Sequence, residues 1–224
     1  MGCILKGGGG LHPRMRVGAV LLAAGEGSRL GGVVKPAIRL QGVPLINRAL
    51  FALSGAGVDE VAVVLGHGAD QLAPLVEAFP VTVVRNERWR EGQAGSVCAG
   101  LEALRGPFDA VVVCLADQPL LNAQDVTALI AAYKKRSHGS IVVPIWQGRR
   151  GNPVILDWAE RDAVLGGQAR LGCRHLIDSA PERVVAFEAP NDHFVVDLDT
   201  PDDLEALQRR LGTPLQLPAA VAAA

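Results

Sequence analysis

The stretch LLAAGEGSRLGGVVKP, Leu21 to Pro36, runs from an apolar segment into glycines and then presents one arginine and one lysine. Glycine has no side chain, so at Gly25 and Gly27 backbone N–H groups can approach an anion closely and positive φ is available. Arg29 and Lys35 add charge-assisted contacts. That combination suits a chain of phosphates. Three readings meet here: a plain tight turn, a dinucleotide loop of the GxGxxG type, and a long loop wrapped around a nucleoside triphosphate. GEGSRLG is close to GxGxxG, but that motif opens a helix whose N-terminus carries the pyrophosphate. GGVVKPAI follows instead, and helical periodicity starts only near Pro44. A Walker loop is excluded, because there is no GK[ST]. The stretch after Gly31 discriminates: a dinucleotide fold needs a helix there, a triphosphate-wrapping loop does not.

Four further segments carry chemistry-bearing residues. In VVVCLADQPLL, Asp117 follows an almost wholly apolar run and Pro119 stops it. A carboxylate there can hold Mg²⁺ or simply start a turn. In HFVVDLDTPDDLEAL, Asp197 and Asp199 are spaced by two, which on a strand puts them on one side. Asp202 and Asp203 suit the first turn of the helix that follows. EGQAGSVCAGLEAL places Gln93 and Ser96 at a helix start, where free N–H groups can hold a base edge or a phosphate, or where small residues simply pack on a sheet. GRRGNPVIL sets Arg149, Arg150 and Asn152 among glycines, as a solvated hairpin or as a site for an anionic second substrate. His67, His138, His175 and His193 lack metal-ligand spacing and receive no role. Trp89 and Trp146 are expected in core or rim packing.

The elements that must position these residues are short apolar runs alternating with amphipathic segments. Strands are expected at Val17–Ala23, Val61–Leu65, Val81–Val84, Ala110–Leu115 and Ser140–Pro144, nearly all apolar as for strands covered on both faces. Helices are expected at Pro44–Leu53, Ala69–Ala78, Gln93–Leu104, Ala123–Arg136 and Pro201–Leu211, with Asn122 and Thr200 as N-caps and Pro201 at a first helical position. WQGRRGNPVIL reads as a hairpin, and RVVAFEA and HFVVDLD as two more short strands. The pattern is α/β, a Rossmann-like three-layer arrangement around a mostly parallel sheet, with ligands beyond the carboxyl ends of the strands.

At 224 residues, one domain is expected over residues 16–212, after a loose leader at 1–15 and before a frayed tail at 213–224. The formal net charge of -1 gives no electrostatic reason for nucleic acid or an anionic membrane as partner. No apolar run approaches the roughly 20 residues that span a bilayer. Cys98 and Cys114 lie in apolar segments without a CxxC pair, which suits a reduced, cytoplasmic setting.

Taken in order, LLAAGEGSRLGG..K, GQAGSVCAGL, VVVCLADQP, GRRGNPVIL and DLDTPDDL resemble the MobA-like nucleotidyltransferases, and within them the molybdenum cofactor cytidylyltransferases. The matches span Val17 to Leu211. The resemblance implies a nucleotidyltransferase fold that binds NTP and Mg²⁺ and transfers CMP from CTP to molybdopterin, with pyrophosphate leaving. A molybdoenzyme or its chaperone is the implied protein partner. By the resemblance, Arg29, Lys35 and Asp117 carry the chemistry. Ala23, Ala24, Gly25, Gly27, Gln93, Ser96, Arg150 and Asn152 bind substrates, and Asp117, Asp197 and Asp199 hold the metal. The Arg29–Lys35 spacing resembles the guanylyl branch, and Arg170 stands where the cytidylyl branch has an acid. Ala24 replaces a second glycine of the guanylyl enzymes, and its methyl favours a pyrimidine. The alternatives are guanylyl transfer, activation of a sugar phosphate and, from another class, NAD(P)-dependent oxidoreduction. A cofactor-binding chaperone without catalysis is disfavoured by Lys35 and Asp117.

Overall fold

The computed structural model describes residues 14–166 and 172–218. Strand β1 (Val17–Ala23) is flanked in parallel by β4 (Glu60–Leu65) and β6 (Ala110–Leu115), and β5 (Thr82–Arg85) continues the parallel run beyond β4. On the other side, β9 (Val154–Asp157) is antiparallel to both β6 and β7 (Ile141–Trp146), and β10 (Val184–Glu188) closes that edge parallel to β7. The order is β10-β7-β9-β6-β1-β4-β5. From β1 the chain moves to β4 on one side, and β6 lies on the other. Their carboxyl ends therefore frame a topological switch point, where such sheets take ligands.

Alternation along β1 explains the layers. Val17, Ala19, Leu21 and Ala23 face a core shared with α1 (Leu45–Gly55), α2 (Ala69–Val76) and α4 (Ala123–Lys135). Val20 and Leu22 face a second core built with α3 (Gln93–Ala103), α5 (Glu160–Gly166) and α6 (Gly172–Ser179). A third cluster, formed by Leu30, Ile38, Leu40, Leu45, Leu198 and Leu207, packs α7 (Pro201–Leu211) against the glycine loop. A small sheet completes it: β2 (Arg39–Leu40) pairs with β3 (Val43–Pro44) and with β11 (Leu215–Gln216).

Several sequence expectations change. HFVVDLD is not a strand: Asp192–Phe194 is a 3-10 turn and residues 195–199 are irregular, and the segment pairs with no strand of the main sheet, whose edge on that side is β10. The tail is not frayed throughout, since Leu215 and Gln216 pair with β2. At the other end, Arg14 is tied to the Gly57 carbonyl at 2.7 Å and to Asp59 at 3.3 Å, and Met15 packs on the first core, so the loose leader does not extend to residue 15. The hairpin forms as β7 and β8 (Arg149–Arg150), turned by Gln147 and Gly148 at φ 47 and 76. No helix among the described residues is long and apolar enough to cross a membrane.

Candidate active site

The glycine loop leaves β1 and makes two 3-10 turns, Ser28–Leu30 and Lys35–Ala37, before α1 begins at Leu45. It opens no α-helix. Gly27 sits at φ 62, and a Cβ there would lie 2.4 Å from the Val33 carbonyl oxygen, so the loop folds back on itself only with glycine. Its geometry carries Lys35 inward. The ammonium reaches Asp117 Oδ2 at 2.8 Å and Asp199 Oδ1 at 2.7 Å. Burial alone would lower the Lys35 pKa. The charges and hydrogen bonds of Asp117 and Asp199 outweigh it and raise the pKa, so the amine is fully protonated at neutral pH. Arg29 stays at the rim and touches Asp199 Oδ2 at 3.4 Å.

Asp117 is placed by β6, whose ladder with β1 continues through Ala116 N–H to the Leu22 carbonyl at 3.0 Å. Asp199 is placed by the cap of α7. The Asp203 carboxylate accepts from Asp199 N–H at 3.1 Å and Thr200 N–H at 2.7 Å, while Thr200 Oγ1 accepts from Asp203 N–H at 3.3 Å. Leu198, 1% exposed, is the plug between Asp197 and Asp199. Asp197 is exposed and lines a separate groove with Arg149, Asp203 and Arg210. Partial burial of the carboxyl itself, followed by the charges of Asp199 and Asp117, raises its pKa.

Asp117 and Asp199 thus meet at Lys35, while Asp197 lines the neighbouring groove. Among the described residues, no three His, Cys, Asp or Glu side chains group as metal ligands. Two carboxylates converge on one cation, and the third lies close enough for their charges to reach it. Two hard oxygen donors aimed at a single point do fit a small divalent ion, which takes one or two carboxylates and fills its shell with phosphate oxygens and water.

Beside Asp117 a cavity of about 160 Å³ is lined by Ala24, Gly25, Trp89, Gln93 and Ser96, among others. Ser96 is buried and accepts a hydrogen bond from Asn86 Nδ2 at 3.0 Å. Gln93 also lines a second cavity of about 560 Å³, whose walls include Val113, Val143, Arg150, Asn152, Cys173 and Arg174. Ala23 joins neither cavity, because alternation turns it into the first core. Arg149 and Arg150 go to opposite sides of their strand, as neighbours must. Arg150 pairs with Asp178 at 2.5 Å on the large cavity, and Arg149 donates to the Val195 carbonyl at 3.4 Å. Arg170 lies outside the described residues.

Sequence reasoning missed four contributors. His67 meets the Gly32 carbonyl at 3.3 Å and packs edge-on against Trp89, bracing the glycine loop. Asn86 and Arg174 are the second and third. The fourth is Gln118, 4% exposed, which donates from Nε2 to the Phe194 carbonyl at 2.9 Å. Only Gln118 had a signal, its place directly after Asp117.

A backbone loop suited to phosphates, a cation held between two carboxylates and two adjoining cavities at a switch point define a nucleotide-handling α/β protein. The chain belongs to the MobA-like NTP transferase domain family, whose model matches residues 19–184. Among curated relatives, nicotine blue oxidoreductase of Paenarthrobacter nicotinovorans is 29% identical over 85% of this chain and 96% of its own length. A nucleotidyl transferase from Methanothermobacter thermautotroptrophicus shares the fold at TM-score 0.73 and 24% identity, over 88% of this chain and 97% of its own. The Mycobacterium tuberculosis protein Rv0371c, solved in complex with manganese, aligns at TM-score 0.63 and 22% identity over 87% and 98%.

Proposed function

We propose that this chain is a divalent-metal-dependent nucleotidyltransferase that moves CMP from CTP to the phosphate of molybdopterin. The observation that carries the reading is Lys35 held between Asp117 and Asp199, next to a glycine loop that opens no helix. That loop also argues against nicotinamide-dependent oxidoreduction, which would need a helix to begin there.

An oxygen of the acceptor phosphate attacks the α-phosphorus and forms the new P–O bond. The bond from the α-phosphorus to the α–β bridging oxygen breaks, and pyrophosphate leaves. Such a transfer depends on positioning and on neutralising charge. Backbone N–H groups at Gly25 and Gly27 cradle the triphosphate. Lys35 and Arg29 supply countercharge to the departing pyrophosphate. Asp117 and Asp199 would hold the metal ion, Mg²⁺ by the hardness of the donors, which when bound screens the phosphate charge. The small cavity takes the nucleoside beside Ala24, Gln93 and Ser96. In the large cavity, Arg150, Asn152 and Arg174 face the acceptor's phosphate, and Val113 and Val143 its ring system.

The base follows from space. A Cβ on Gly66 would already lie 2.8 Å from the Ala24 methyl, so this wall has little room to retreat from a purine. CTP is expected over GTP by at least about tenfold in kcat/KM, equivalent to roughly 1.4 kcal/mol of transition-state discrimination. Equimolar CTP and GTP with molybdopterin and Mg²⁺ test this. A cytosine dinucleotide as main product supports the reading. A guanine dinucleotide overturns the base, and no dinucleotide overturns the reaction.

A further inference from the structure

Gln118 follows Asp117 in the chain, yet its side chain turns away from the ion cluster and into the protein. Its Nε2 donates to the Phe194 carbonyl at 2.9 Å, 76 residues away. Its Oε1 is buried without a hydrogen-bond partner. A buried amide satisfied on one side only is an unfavourable choice for stability, and an apolar side chain of the same shape would serve the core as well or better. The one bond it makes needs another purpose.

The Phe194 carbonyl is a junction. It also accepts from Asn152 N–H at 2.8 Å, and a Cβ on Gly151 would lie 2.4 Å from it, so the hairpin reaches this point only with glycine. Three segments meet there: the Asp117 turn, the hairpin with Arg150 and Asn152, and the run to Asp199. The far side of the junction is held as well. Asp125, buried at the start of α4, accepts from Asn191 Nδ2 at 2.9 Å and meets His193 Nδ1 at 2.8 Å. The chain thus enters residues 195–199 from a point clamped on two sides, and Gln118 is the clamp that belongs to the Asp117 turn.

We propose that Gln118 is a positioning residue, which sets the separation of Asp117 and Asp199 through the Phe194 carbonyl. The proposal rests on the nucleotidyltransferase reading for its purpose, but its test does not need turnover. Mn²⁺ binding is titrated by electron paramagnetic resonance in the presence of CTP for the wild type, Gln118→Met and Gln118→Leu. Both variants fill the volume and lack the donor, and two are made so that misfolding of one leaves the other. Mn²⁺ affinity is expected to fall at least about tenfold, as when a group that orients a metal ligand is lost. Turnover falls with it, KM for CTP stays within about twofold, and the melting temperature holds or rises. Wild-type Mn²⁺ affinity in a folded variant overturns the proposal. So does a loss confined to KM for CTP. If the wild type binds Mn²⁺ with CTP yet forms no dinucleotide, the functional reading fails while the Mn²⁺ comparison still decides the role of Gln118.

Discussion

Lys35 is the residue on which the site turns. Its ammonium, only 11% exposed, offsets two carboxylates that would otherwise repel each other at the end of β6 and the start of α7. One of those carboxylates must do more than pair with lysine if the reaction proceeds as proposed. Asp117→Asn keeps the shape and removes the charge, leaving Lys35 paired with Asp199 alone. Turnover is expected to fall at least about a hundredfold, on the scale of losing one strong electrostatic contact to the developing charge. Steady-state kinetics with CTP and Mg²⁺ check it. Near-wild-type turnover would remove Asp117 from the site.

At the scale of elements, α7 is the arm that holds the irregular carboxylate run. Its capping box fixes Asp199, and its last turn reaches back to the 3-10 turn at Asp192–Phe194, where Arg210 makes two hydrogen bonds to Asp192 at 2.6 and 2.9 Å. The Arg210 bonds lower the Asp192 pKa, against a smaller opposing effect of burial. A depressed folded pKa stabilises above the unfolded carboxylate value near 3.9 and is lost as pH falls through the lower folded value. Asp192→Asn is therefore expected to lower stability by about 0.5–1 kcal/mol at pH 7, the range of a partly exposed pair. The difference from wild type should vanish in strong acid. Urea unfolding across that pH series measures it, and a gap that persists at low pH refutes the pairing. The same elements show what a sequence discloses. β1, β6 and α7 were legible to the residue, because a fully apolar run bounded by Gly or Asp, and a Thr-Pro cap, are local signals. The run HFVVDLD misled because alternation marks which side chains turn inward, not whether a strand partner exists. Phe194 and Leu198 are indeed buried, but the segment pairs with no strand of either sheet. The two-residue strands of the small sheet carry no periodicity. Gln118 and His67 act through bonds to residues 76 and 35 positions away, which no local pattern contains.

At the scale of the whole molecule, a third cluster lies outside both cores that flank the sheet. Leu30 from the glycine loop, Leu40 and Leu45 from the small sheet and α1, and Leu198 and Leu207 from the carboxyl-terminal arm close on one another, joining chain segments more than 150 residues apart. Phosphate loop and carboxylate run are thereby one unit. The two large cores hold the sheet and would survive its loss, because they share none of these side chains. Leu198→Ala empties space in a fully buried position between Asp197 and Asp199. It should cost about 2–4 kcal/mol, the transfer of the lost methyl groups plus the cavity they leave. The loss should be local in character. Amide exchange should speed up at residues 28–40 and 195–211, while β1, β4 and β6 keep their protection. Turnover should drop further than the remaining folded fraction explains, since Asp199 loses its plug and Lys35 one of its two partners. Hydrogen-exchange mass spectrometry beside kinetics on the same preparation separates these effects. If exchange rose evenly across the sheet, the third cluster would be an extension of the main core rather than the clasp that closes the site.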